Sequence, residues 1–280
     1  MIPYFPAEGG GFRLSLGLKV LADADWIEID GNYTADLAEK ARLLQSNEQD
    51  VFRALPGTEA AQQALIEVLT AHLAAHLPDR VPDLPAIDPA APLKAAAAMV
   101  QEDILLLQPS PEGHRLIAAI LCFPTRWRPA DKIGQPLAAI HGPVPGYADK
   151  LGRQMDRLFA GMTDDRILWR QNFSLLDDAA LFQPGGHFKE GAGLDLTQAN
   201  IGENLWFRVE RQTVRVLPGT DVTVFTVRIH QARLQDVVKS PERASDLLSV
   251  VDAMPPDMKR YKSLPGFELP LRAWLQERIR

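Results

Sequence analysis

His141 stands within Leu137-Ala-Ala-Ile-His-Gly-Pro-Val-Pro-Gly-Tyr147, surrounded by apolar and conformationally special residues. A neutral imidazole in such surroundings suits the proximal ligand of a haem iron, and glycines at 142 and 146 would let a flat cofactor approach the backbone. The competing reading is a histidine that caps a turn or helix end by hydrogen bonding. Spacing alone leaves both open. Upstream, Arg126-Trp127-Arg128 and then Lys132 form a compact basic patch, which can pair with propionates at a pocket mouth or remain solvated on a loop.

Residues 204–213 alternate, with Trp206, Arg208, Glu210 and Gln212 on one side and Phe207, Val209, Arg211 and Thr213 on the other. If the second side lines a pocket, Arg211 requires an anionic or strongly polar partner there, such as a propionate, a carboxylate or bound dioxygen. If it does not, Arg208 and Glu210 become the inward pair. The next strand carries the same ambiguity: Val222, Val224, Thr226, Arg228 and His230 oppose Thr223, Phe225, Val227 and Ile229. His230 is a second candidate iron ligand.

His72 and His76 are four apart, a spacing that can chelate a metal ion from one helix face. No glutamate lies between them and no third ligand is nearby in sequence, so histidines at a helix edge over a core are expected. His187 sits in a glycine-containing loop where it can meet a substrate. Cys122, the single cysteine, lies in an apolar strand, as a small hydrophobe or else a thiolate ligand. One cysteine excludes a disulfide framework, a Cys-rich zinc site and an iron–sulfur cluster held by this chain. There is no Walker loop, G-x-G-x-x-G, G-x-S-x-G or H-E-x-x-H, which removes the usual signals of nucleotide hydrolysis, dinucleotide binding, serine esterases and zinc proteases.

The elements that must position these residues are partly legible. Leu37, Ala41 and Leu44 predict one helix, and Leu65, Val68, Leu69, His72, Leu73 and His76 a second, with Thr58 at its N-cap and Pro78 as its stop. Residues 77–92, rich in Pro and Asp, read as a linker, which divides a helical extension over 1–92 from a core over 93–235. In the core, 103–107 and 115–123 predict a hairpin, a helix begins near Tyr147, and strands are expected over 169–176, 204–217 and 221–233. Pro218-Gly219-Thr220 joins the last two as a turn. The tail, 236–280, is amphipathic and broken into short helices by Pro255-Pro256 and Pro265. It is expected to pack back on the core. Strand, strand, helices, then three strands is the layout of a PAS domain, so the expected class is α+β: a PAS-like antiparallel five-stranded sheet whose helices enclose a pocket, with helical additions at both ends.

Composition agrees with a soluble globular protein: 280 residues, 46% hydrophobic and 24% charged. A net charge of -6 gives no overall attraction to nucleic acid or anionic lipid. The first residues lack the basic and apolar regions of a signal peptide, and the longest apolar runs fall far short of the roughly 20 residues of a membrane-spanning helix. A cytoplasmic location is expected, without nucleic-acid or membrane partners.

Several ordered blocks together resemble the haem-dependent oxidative N-demethylase family. They are Leu121-Cys-Phe-Pro-Thr-Arg-Trp-Arg-Pro129, Lys132-Ile-Gly134, Ile140-His-Gly-Pro-Val-Pro-Gly-Tyr147, Trp169-Arg-Gln-Asn172 and Leu205-Trp-Phe-Arg-Val-Glu-Arg-Gln-Thr213, within a likeness running from Trp26 to about Arg233. The resemblance implies a haem-binding PAS-like fold and a monooxygenase-type activity, removal of a methyl group from a small secondary or tertiary amine such as dimethylamine with release of formaldehyde. It implies b-type haem, dioxygen, and electrons from separate reductase subunits that carry FMN, NADPH and a 2Fe-2S cluster. By the same resemblance His141 is the axial ligand; Arg126 and Lys132 of the basic patch, and Tyr147, are expected to bind the cofactor beside it. Arg211 is expected on the distal side or at a propionate, with Glu210 and Thr213 as its neighbours. A haem-binding PAS-like sensor without turnover is the alternative from another class.

Overall fold

The computed structural model describes residues 2–80, 85–185 and 193–280. An irregular N-terminal strap leads into strand β1 (Lys19–Leu21), helix α1 (Tyr33–Ser46), the short helix α2 (Glu48–Val51), strand β2 (Phe52–Ala54) and helix α3 (Glu59–His76). The buried stripe of α3 includes Leu65, Leu69, His72 and Leu73, as its spacing predicts. Helix α1 departs from expectation, since its buried residues are Asp36, Lys40 and Leu43 rather than Leu37, Ala41 and Leu44. The reason is an internal ion pair: Lys40 Nζ lies 3.3 Å from Asp103, both side chains fully buried, and donates to the carbonyl of Val100 at 3.2 Å. Position on the helix wheel follows that pair, not the leucines.

After helix α4 (Leu93–Ala96), strands β3 (Asp103–Ser110) and β4 (Gly113–Ile120) form the expected hairpin. Helix α5 (Leu137–Ile140), a wide π-type turn over Ala148–Gly152 and helix α6 (Arg153–Ala160) then cross to strand β5 (Ile167–Leu176). The helix expected from Tyr147 therefore begins as a π turn, a feature frequent at functional sites. Helix α7 (Ile201–Asn204) precedes strands β6 (Trp206–Val216) and β7 (Thr223–Arg233). Their turn closes through Thr220 N–H to the carbonyl of Leu217 at 3.1 Å, with Gly219 at φ +71°, a conformation that favours glycine after Pro218.

The sheet is antiparallel throughout, in the order β1-β5-β6-β7-β3-β4-β2. Seven strands replace the five expected, because β1 pairs with β5 and β2 with β4. These two strands are three residues long, too short for alternation to be visible in the sequence. The C-terminal segment forms helices α8 (Leu234–Val237), α9 (Pro241–Ala253), α10 (Pro256–Tyr261) and α11 (Glu268–Ile279), broken at the expected prolines. The fold is thus α+β, with seven strands and eleven helices among the described residues.

Two apolar cores hold it together. One joins α1, α3 and α4 to β3 and β4, and the other joins α9 and α11 to the start of β6 through Phe207 and Val209. In the second, a Cβ on Gly202 would meet the Trp274 ring at 2.8 Å, so only glycine lets α11 lie against α7. The N-terminal strap is fastened to α9 by Gly9 N–H to Asp246 at 3.1 Å and Gly11 N–H to Ser249 Oγ at 3.0 Å. None of the described helices is long and apolar enough to cross a membrane.

Candidate functional site

Between the sheet, the α5–α6 segment, the strap and the C-terminal tail lies a cavity of about 390 Å³. That size falls within the roughly 300–1,000 Å³ of small-molecule and cofactor sites. Strand alternation decides which groups enter it. From β6 these are Glu210, Gln212 and Val214, from β5 Arg170, Asn172, Ser174 and Leu176, with the intervening Gln171 also touching it, and from β7 Phe225 and Val227. His141, Tyr147, Lys132 and Arg126 all line it.

His141 follows α5 directly. Its Nδ1 lies 2.9 Å from the carbonyl of Leu137, which can only accept, so Nδ1 carries the proton and Nε2 keeps its lone pair. The ring is stacked on Tyr147, centroids 4.5 Å apart and planes 10° from parallel. Burial pushes the imidazole pKa down to about 4, and the charges of Arg170 and Lys132 act in the same direction. The group is neutral at physiological pH, with orientation set by the carbonyl on one edge and the phenol ring on one face. Burial also pushes the Tyr147 hydroxyl up to about 12, so it stays protonated.

Cations dominate the lining. Among the described residues, Arg13, Arg126, Lys132, Arg170 and Lys262 line the cavity with a single carboxylate, Glu210. Lys132 Nζ donates to the carbonyl of Ile140 at 2.7 Å, Arg170 Nε donates to Gln212 Oε1 at 2.7 Å, and Lys262 Nζ donates to the carbonyl of Phe173 at 2.7 Å. All three contacts are to neutral oxygens. Burial lowers the pKa of Lys132 and Arg170 and brings Lys262 down to about 8, the mark of positive charge held away from water. Glu210 accepts from Gln212 Nε2 at 2.8 Å and from Asn172 Nδ2 at 3.4 Å.

Arg126 and Ser263, the two described non-glycine residues with left-handed backbones (φ 66° and 56°), hydrogen-bond each other through the guanidinium and Oγ. Strained backbone of this kind persists where the surrounding structure over-determines it. Here it docks the tail onto the loop after β4 and places Lys262, one residue earlier, in the cavity.

Three expected site residues lie elsewhere. Arg211, Thr213 and His230 project from the opposite face of the sheet, because the alternation puts Glu210 and Gln212 inward. Arg211 Nε is 3.0 Å from Glu28, and the guanidinium also donates to the carbonyls of Trp26 and Asp25. Thr213 shares a 2.6 Å hydrogen bond with Thr226. His230 Nε2 lies 2.9 Å from Glu28, whose other oxygen accepts from Tyr4. Burial alone would raise the Glu28 pKa, but these hydrogen bonds and the Arg211 charge hold it below the usual carboxylate value. Arg208 has the inward side of β6 yet stops behind the cavity wall, fully buried, where it donates to the carbonyls of Phe123 at 2.8 Å and Leu181 at 3.0 Å. Burial lowers its pKa to about 10.

Cys122 is buried in the first core, its thiol pushed up to about 12 by burial and the nearby Asp103, which leaves a small hydrophobe. His187 lies outside the described residues. Sequence reading missed Arg170, Asn172, Gln212 and Lys262. The first two were visible as alternate residues of one strand, whereas Lys262 reaches the cavity only through tertiary docking of the tail.

A sequence model of the family described as haem-dependent oxidative N-demethylase, alpha subunit-like, matches residues 17–271. The chain belongs to that family.

Proposed function

We propose that this chain is the haem-binding catalytic subunit of an oxidative N-demethylase that acts on a small secondary or tertiary amine such as dimethylamine. The observation that carries the reading is His141: a neutral imidazole tied at Nδ1, on the wall of a cavity whose lining is rich in cations. A dianionic b-type haem fits that donor set. His141 would hold the iron, and Lys132, Arg126, Arg170 and Lys262 would hold the propionates. The expected PAS-like arrangement is supported by the central strands β5-β6-β7-β3-β4, with α5 and α6, between the second and third of these strands in chain order, covering the cavity.

When bound, the haem supplies dioxygen activation. The chain's own groups handle the rest. Glu210, the one carboxylate in the lining among the described residues, attracts a methylammonium cation, and Asn172 and Gln212 fix the Glu210 carboxylate by hydrogen bonds. The Tyr147 ring keeps the imidazole plane from turning. Leu14 and Leu16 of the strap, with the tail at Met258, cover the cavity and limit water. Overall, one dioxygen, two electrons and two protons convert an N-methyl amine to the demethylated amine, formaldehyde and water. The electrons come from separate reductase subunits carrying FMN, NADPH and a 2Fe-2S cluster, a division that agrees with a single cysteine here and with the family's description as an alpha subunit.

The experiment is formaldehyde release from mono-, di- and trimethylamine by haem-loaded protein supplied with electrons and dioxygen. Turnover with at least one amine is expected. Dioxygen binding without formaldehyde from any of them would sink the enzymatic reading and favour a haem sensor.

A further inference from the structure

His72 and His76 project from the last two turns of α3 toward Asp23, which lies in a short 3-10 turn over Asp23–Asp25 after β1. One nitrogen from each imidazole and one oxygen of Asp23 lie within 4.8 Å of one another. His76 Nε2 is 3.0 Å and His72 Nδ1 3.7 Å from the same carboxylate oxygen, Oδ2. Ligands about 2.0–2.2 Å from a tetrahedral zinc ion stand about 3.3 Å apart. The two separations to Asp23, one of them a hydrogen bond from His76, bracket that value.

A second observation points to a missing partner. The His72 side chain is only 3% exposed, yet neither ring nitrogen has a hydrogen-bond partner. A buried polar group without a partner is costly and rare, and one aimed at a carboxylate and a second imidazole is what a ligand awaiting an ion presents. The other oxygen, Asp23 Oδ1, is 3.3 Å from Arg215 NH1, which orients the carboxylate as outer-shell groups orient metal ligands. Trp26 packs edge-on to the His72 ring at 5.1 Å and fixes its plane.

We propose that Asp23, His72 and His76 form a binding site for a divalent transition-metal ion, zinc by donor type, separate from the haem cavity. Two imidazoles and one carboxylate leave a fourth position for water on the exposed side, where Asp23 and His76 reach solvent. The ion ties the Asp23–Asp25 turn to the end of α3. That turn and the next residue present the Asp25 and Trp26 carbonyls to Arg211, so the ion also steadies the β6 contact behind the sheet. None of the three ligands lines the cavity, so the site stands whether or not haem is bound.

The test is calorimetric titration of the full chain, stripped by EDTA dialysis, with zinc chloride, alongside thermal melting with and without zinc. Wild type should bind one zinc per chain and melt higher with it. Asp23→Asn and His76→Ala, both at exposed positions that leave the core intact, should each weaken that binding by more than about 100-fold and lose the zinc-dependent rise in Tm. No saturable zinc binding by wild type would overturn the proposal. So would binding that both variants retain unchanged, since the zinc would then sit elsewhere.

Discussion

The neutral state of His141 makes a quantitative prediction. Its folded pKa is lowered by burial to about 4, whereas an imidazole in the unfolded chain titrates near 6.5. Between those values the unfolded chain binds more protons than the folded one. The stability contributed by the neutral group is therefore complete above about pH 6.5 and is lost as pH falls toward about 4. With these two pKa values, the loss between about pH 7.5 and about pH 4.5 is about 2.5 kcal/mol, an upper bound because His141 is only partly buried. His141→Gln retains a side-chain amide that can donate to the Leu137 carbonyl but has no proton to gain. In urea unfolding of haem-free protein at the two pH values, the stability difference between wild type and variant should shift by up to that amount, against wild type at low pH. A difference constant to within about 0.5 kcal/mol would mean a solvated, ordinarily titrating imidazole, and the argument for a preset neutral ligand would fail with it.

Other perturbations separate the two faces of the sheet. Glu210→Gln should leave the haem absorption spectrum intact while raising KM for a cationic amine at least about tenfold, since a carboxylate–ammonium contact contributes about 1.5–3 kcal/mol; an unchanged KM would remove Glu210 from substrate binding. Arg211→Met should lower thermal stability and leave haem content and the dioxygen-bound spectrum as in wild type, because Arg211 serves Glu28 behind the sheet; a change in the dioxygen spectrum alone would put it back in the cavity. Arg208→Met strands the buried Phe123 and Leu181 carbonyls and should cost about 3–5 kcal/mol in denaturant unfolding, with a loss under about 1 kcal/mol showing that these contacts do not tie the cavity wall.

The strands of the core were readable because they are long and bounded by strong turn residues, as with Pro218-Gly219 between β6 and β7. What alternation could not supply was polarity. Glu210 and Arg211 are adjacent, and a one-residue choice of face exchanges an open carboxylate for a paired guanidinium. Arg211 and His230 left the far face open as a pocket candidate, but the Glu28 that pairs with both lies 183 and 202 residues earlier, and no local pattern joins them. At His141 the helix-end hydrogen bond that its neighbours allow is present, since the Leu137 carbonyl is one helical turn before it, while its place on the cavity wall comes from packing. Asp23 completes the His72–His76 pair only through packing of the 3-10 turn against α3, which is why the pair looked incomplete in sequence.

The visible spectrum of haemin-supplemented wild type and His141→Ala, as isolated and after dithionite, tests the central claim most directly. Wild type should show a Soret band that shifts on reduction, and His141→Ala should lose stoichiometric haem or regain it only with added imidazole. A normal spectrum in His141→Ala without imidazole would give the iron another ligand, and no Soret band in wild type would contradict the haem site itself.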